Sequence, residues 1–231
     1  MQGEIELLKK VWQVIGETAA LARRSPDEVR LIAVSKGHSA DEVRRLRRAG
    51  VTTFGENYVQ EFTEKYETLR DDDIRWHFIG HLQSNKVKYI VDKVECIHTV
   101  DSVKLAEEID RQAEKKGIAQ MPVLLQVNVG GEASKSGATA DEALALFRGV
   151  SALPRLSVRG LMTLPPFLEP EEVRPYFREL RELLHRIQRE GPADPAIFRE
   201  LSMGMSGDFD VAIEEGATMI RLGTILFGER D

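Results

Sequence analysis

Lys36 directly follows the apolar run Leu31 to Ser35, so its amine ends a hydrophobic segment. Desolvation there disfavours the ammonium and lowers its pKa, and a neutral amine condenses with an aldehyde. For that residue alone, a solvated lysine at a strand end is the commoner arrangement. Two strings rich in glycine and hydroxyls, SMGMSG (Ser202 to Gly207) and LGT (Leu222 to Thr224), lie near the far end of the chain. Exposed N–H groups there, beside a helix starting near Asp208, suit a phosphate, although glycine and serine are also the residues of ordinary turns. Arg221 precedes the second string. A guanidinium facing a pyridine nitrogen discourages its protonation; an ion pair with a carboxylate such as Glu200 is the competing use of that arginine. Amine, phosphate loops and arginine together fit a phosphorylated aromatic aldehyde held at both ends, and pyridoxal 5′-phosphate (PLP) is that molecule.

Other residues with chemical potential carry less. His77 and His81 are four apart, which on a strand separates them by about 13 Å and does not suit a metal. Cys96 and His98 alternate on one apolar run, where a lone cysteine reads as a small buried hydrophobe. The cluster Arg44, Arg45, Arg47 and Arg48 reads as a solvated helix face, and Trp12 and Trp76 as core aromatics. No metal site is expected.

The elements that must position these residues follow from period. Glu4 to Arg23 places Ile5, Leu8, Val11, Trp12, Ile15 and Ala19 on one helical stripe. Short apolar runs and helical segments then alternate. Arg30 to Val34 precedes Ala40 to Ala49, Thr52 to Phe54 precedes 57–69, Arg75 to Ile79 precedes 85–91, and Cys96 to Val100 precedes 102–116. Val123 to Val127 precedes a helix at 139–150 opened by a capping threonine, and Ser157 to Leu161 precedes 170–189. Phe198 to Ser202 precedes 209–215, and Met219 to Leu222 precedes a short closing segment. Eight such alternations predict an α/β fold, a single (β/α)₈ TIM barrel over residues 1–231 with residues 1–24 as an extra helix packed outside. An open doubly wound sheet is the alternative, and it would carry a glycine-rich fingerprint after an early strand, which does not appear. In such a barrel the active face lies at the strand ends, where Lys36, Asn57, His81, Asp101, Asn128, Met162, Ser202 with Ser206, and Arg221 form a polar ring.

Composition narrows the function. Lys and Arg number 32 against 38 Asp and Glu, a net charge of −6, which leaves no basic excess for nucleic acid. Hydrophobic residues make up 42% and no apolar run is long enough for a membrane span. A single cysteine and an N-terminus without a signal-peptide pattern predict a cytoplasmic protein.

The strings AVSK (Ala33 to Lys36), FGENYVQE (Phe54 to Glu61), WHFIGHLQSNK (Trp76 to Lys86), LSMGMSGDFDVAI (Leu201 to Ile213) and IRLGTILFGER (Ile220 to Arg230) resemble the pyridoxal phosphate homeostasis protein family. The resemblance runs from about residue 5 to the C-terminus. It implies a barrel similar to the cofactor-binding domain of alanine racemase, with PLP held as a Schiff base on Lys36. It further implies that Ser206, Gly223 and Thr224 hold the phosphate, that Arg221 faces the pyridine nitrogen, and that Asn57, His81 and Met162 line the ring. Two departures stand out. Gly37, His38 and Ser39 replace a Thr-Lys-Pro-like sequence, and Gly130 and Gly131 replace bulkier residues in a loop where Lys135 is a candidate transient acceptor.

Two functions compete. A racemase needs two bases on opposite faces, and in alanine racemase the second is a tyrosine contributed through an additional domain. This sequence is expected to end with its eighth unit, and Tyr58, Tyr66, Tyr89 and Tyr176 fall on predicted helices. The reading is therefore a monomeric PLP carrier and buffer, with apo PLP-dependent enzymes as transient partners. A weak amino-acid racemase is the alternative; a barrel without cofactor and an aldolase-like lysine base fit less well.

Overall fold

Each short apolar run becomes a strand in the structure, a computed structural model that describes residues 2–132, 136–191 and 193–228. The strands are β1 (Arg30–Val34), β2 (Thr53–Glu56), β3 (Arg75–Phe78), β4 (Cys96–Val100), β5 (Met121–Gln126), β6 (Leu156–Met162), β7 (Glu200–Ser202) and β8 (Met219–Leu222). They pair in parallel in chain order, and β8 returns to β1 with Arg221 opposite Ile32, which closes the barrel. The helices are α1 (Gln2–Leu21), α2 (Ala40–Arg48), α3 (Val59–Thr68), α4 (Val103–Lys115), α5 (Ala143–Ser151), α6 (Pro170–Glu190), α7 (Phe209–Glu214) and α8 (Thr224–Phe227).

Four sequence expectations change. The segment after β3 is a 3₁₀ helix at Ser84–Tyr89 rather than an α-helix. Thr139 and Glu142 exchange capping hydrogen bonds, yet α5 itself begins one turn later. Trp76 is buried as expected, but Trp12 is 46% exposed, and α1 seats Leu8, Val11, Ile15, Thr18 and Ala19 instead. Helix α1 packs against α7. Arg24 fixes its end there by donating to the carbonyls of Ile213 and Ala217, both at 2.9 Å, at and just past the end of α7. The arginines of α2 are not simply solvated. Arg44 pairs with Asp41 and Asp72, Arg45 with Glu4, and Arg47 with Asp73.

The apolar mass lies between strands and helices. Inside the barrel the apolar cluster is small: Ile32, Cys96, Leu124, Met162 and Met219. Barrels of this kind fill that space with branched aliphatic side chains. Here His77, His98, Ser202 and Arg221 occupy buried positions on β3, β4, β7 and β8. A polar interior of this kind has to be hydrogen-bonded to be tolerated, and its bonds lead to the site.

Candidate functional site

Lys36 sits half-buried two residues past β1, and the residues on either side of it are held from behind. Ser35 Oγ donates to Glu56 Oε1 at 2.6 Å. The buried Lys65 ammonium donates to the Ser35 carbonyl, to Glu56 Oε1 at 2.6 Å and to Glu61 Oε1 at 2.7 Å. Glu61 Oε1 also accepts the Gly37 N–H. The turn carrying Lys36 is thereby tied to β2 and α3. Burial pushes the Glu56 carboxyl above the usual carboxylate range, and the Lys65 charge opposes that push. Gly37 takes φ of 78°, a left-handed conformation that side chains disfavour. His38 then stacks on Phe227 with ring centroids 4.4 Å apart, and Ser39 opens α2 with a capping box to Glu42. The departure at Gly37, His38 and Ser39 thus builds a tight turn and a helix start.

Asn57 follows β2, and its Oδ1 is buried without a partner among the described residues. Gly80 holds the Asn57 backbone in place, because a Cβ on Gly80 would lie 2.0 Å from the Asn57 carbonyl oxygen. Gly80→Ala is therefore expected to displace Asn57 and to cost at least about 3 kcal/mol, since backbone cannot yield as a flexible side chain does. Urea unfolding checks it; a loss below about 1 kcal/mol would show that the loop adapts.

Arg221 is 3% exposed and donates to Ser202 Oγ at 2.7 Å and to the Thr163 carbonyl at 2.9 Å. Burial lowers its pKa to about 10, with Asp208 pulling the other way. The ion pair with Glu200 weighed from sequence is absent among the described residues, and Glu200 instead accepts from Thr218 Oγ1 at 2.6 Å. From Ser202 the hydrogen bonds continue to His98 Nδ1 at 2.9 Å and from His98 Nε2 to His77 Nδ1 at 2.8 Å. Burial, reinforced by nearby guanidiniums, keeps both imidazoles neutral; the His77 pKa falls to about 3. If the Ser202 hydroxyl donates to His98, His98 donates to His77 and the chain ends at His77 Nε2, which has no partner. Ligand atoms of His77, Cys96 and His98 come within 4.8 Å of one another. Both His98 nitrogens and one of His77 are already hydrogen-bonded, and burial raises the Cys96 pKa, so the cluster is a relay beneath Arg221 and not an open ligand set.

Ser206 Oγ accepts the N–H groups of Gly223 at 3.3 Å and Ile225 at 3.4 Å. A hydroxyl oxygen already stands where those donors could meet an anion. Thr224, exposed, starts α8 beside them. Met162 is fully buried in the interior cluster with Ile32 and Leu124, placing it in the barrel floor. His81 is exposed, three residues past β3, and makes no hydrogen bond or ion pair to the others among the described residues. Lys135 lies outside the described residues. His77, His98 and Thr163 were missed from sequence as parts of the site. The usable signal is a histidine within each of two short, otherwise mainly apolar strands, His77 in RWHF and His98 in CIHTV.

The family model described as alanine racemase, N-terminal domain, matches residues 16–231. A pyridoxal phosphate homeostasis protein of Aquifex aeolicus (strain VF5) is 50% identical over 227 residues, 97% of each chain. The structure of PipY of Synechococcus elongatus PCC7942 with PLP bound is 40% identical, with a TM-score of 0.81 over 93% of this chain and 100% of that one. Alanine racemase of Clostridium difficile 630, at 16% identity and a TM-score of 0.68 over 97% of this chain and 57% of that one, shares the fold.

Proposed function

The chain belongs to the alanine racemase N-terminal domain family, among relatives named pyridoxal phosphate homeostasis proteins, and from that membership we propose that it binds PLP and buffers it. PLP supplies a reactive aldehyde carbon to whatever amine meets it. Lys36 Nζ is the amine assigned to hold that carbon. Ser206, Gly223 and Thr224 take the phosphate, Arg221 faces the ring nitrogen, and Asn57, Met162 and His81 bound the ring.

The observation that carries this reading is the buried Arg221 guanidinium, which among the described residues donates to Ser202 and Thr163 alone. A guanidinium has five N–H donors in a fixed fork, so donors remain for a ligand atom at the mouth. Arg221 also keeps its proton at neutral pH, since burial brings its pKa only to about 10. A donor that cannot give up its proton leaves the ring nitrogen as an acceptor, which suits retention more than carbanion chemistry. The unpartnered Asn57 Oδ1 supports a ligand donor beside it, and the apolar floor of Ile32, Leu124 and Met162 excludes water from below.

The finer reading is of a cytoplasmic monomer, one barrel with α1 packed against it, that yields PLP transiently to apo enzymes. No helix among the described residues is long and apolar enough to cross a membrane. The test is an absorption spectrum of the full chain after incubation with PLP, followed by addition of D- and L-alanine. A visible band that persists without racemisation is expected. Stereochemical turnover would make the racemase the correct reading, and absence of any band would remove both.

A further inference from the structure

The mouth does not exhaust the charged openings of this barrel. At the opposite end, where the strands begin, a pocket of about 230 Å³ is bounded by Arg30, Glu95, Cys96, Arg159, Arg199 and Glu200. Arg30 opens β1, Arg159 lies within β6, and Arg199 precedes β7. Among the described residues, none of these three guanidiniums has an ion-pair or hydrogen-bond partner. The two acids on the rim are engaged elsewhere: Glu95 leans toward Arg75 at 3.9 Å, and Glu200 accepts from Thr218.

Residues at this face of a barrel ordinarily serve stability. Three guanidiniums against the carboxylates of Glu95 and Glu200 leave this opening net positive, and without a direct ion pair to any of the three their mutual repulsion opposes folding. Other arginines of this chain show the contrast: Arg44, Arg47, Arg174, Arg178 and Arg181 are all in ion pairs. Arg30, Arg159 and Arg199 also come from three separate elements, so they surround the opening instead of forming one solvated helix face. Guanidiniums bind oxyanions through paired N–H donors, and two or three of them around a small volume select a multiply charged one.

We propose that this opening is a second anion site, which takes a small doubly charged oxyanion of the phosphate class and is separate from the phosphate loops at the mouth. The proposal does not depend on PLP binding. The volume admits a phosphate group or a short dicarboxylate. Cys96 forms part of the wall, 3% exposed, with burial holding its thiol protonated; an anion therefore meets no competing thiolate there.

The test follows the Nε resonances of these three arginines in the full chain, with and without PLP, as inorganic phosphate is titrated against sodium chloride of equal ionic strength. Succinate in a parallel titration separates phosphate from dicarboxylate. In the unmodified protein the three resonances are expected to shift saturably. Arg159→Gln with Arg199→Gln should weaken the phosphate affinity read at Arg30 by about tenfold or more, whereas Ser206→Ala leaves it unchanged. Both substituted arginines are exposed, so the variant keeps its fold, which circular dichroism verifies. Arg159→Lys with Arg199→Lys, retaining charge without the fork, should bind with intermediate affinity. Unmoved arginine resonances would overturn the proposal. So would a phosphate response lost in Ser206→Ala and kept in the double glutamine variant, because the anion would then sit at the mouth.

Discussion

Lys36→Ala is expected to abolish covalent capture of PLP while leaving the barrel folded. After incubation with the cofactor and borohydride reduction, the unmodified chain should carry one cofactor mass on a peptide containing Lys36, and the variant none. Residual binding through the phosphate loops and Arg221 should be about a hundredfold weaker or worse, equivalent to about 2.7 kcal/mol. Lys36 is a half-buried turn residue, so its loss should change unfolding free energy by no more than about 1 kcal/mol. That separation makes the result interpretable, because a missing adduct cannot be attributed to a missing fold. Lys36→Arg keeps the charge and should also form no adduct, since a guanidinium stays protonated. An adduct on another lysine with undiminished affinity would show that Lys36 is not the site of attachment.

The barrel was legible because its strands are short, apolar and regularly interrupted, and β1, β4 and β8 begin and end at the residues read from sequence. The element after β3 was not, since a 3₁₀ helix buries only Val87 and leaves no stripe of helical period. Trp12 shows a different limit. Periodicity assigns a face to α1, but how wide a stripe is covered depends on α7, far along the chain. The ends of the candidate site could be proposed from sequence because lysine, arginine and hydroxyls at strand ends have few other uses in concert. What lay hidden was the support. Glu56 and Glu61 both stand within the string FGENYVQE, yet nothing in their spacing announces that a lysine on α3 joins both to the backbone beside Lys36. His77 and His98 were each read against a sequence neighbour, whereas their partners are each other, across adjacent strands of the barrel. Side-chain bonds over such separations are set by barrel closure and register, which no local pattern encodes.

The Lys65 junction carries the largest expected stability effect. Lys65→Met removes the one ammonium bonded to Glu56 among the described residues, and leaves Glu56, whose side chain is fully buried, and the Ser35 carbonyl without that partner. Breaking one half of a buried pair costs about 3–5 kcal/mol near neutral pH, much of it the penalty on the charge left behind. The sign of its pH dependence follows from Glu56. Its folded pKa is already raised by burial, and loss of Lys65 removes the chief influence lowering it. The folded variant therefore binds a proton more tightly than the unfolded chain. That contribution is fully present below the ordinary carboxylate pKa and is lost as pH rises through the folded value. The deficit relative to the unmodified protein should accordingly be smaller at pH 4 to 5 than at pH 7 (about these values) in urea unfolding. Lys65→Met combined with Glu56→Gln removes the stranded charge and should recover more than half of the loss. PLP capture should not recover with it, because Glu61 still lacks the ammonium that ties it and the Gly37 N–H to the turn bearing Lys36. Equal stability of the single and double variants would mean that Glu56 takes up a proton once Lys65 is gone, and the loss in Lys65→Met would then come from severed hydrogen bonds and not from a stranded charge.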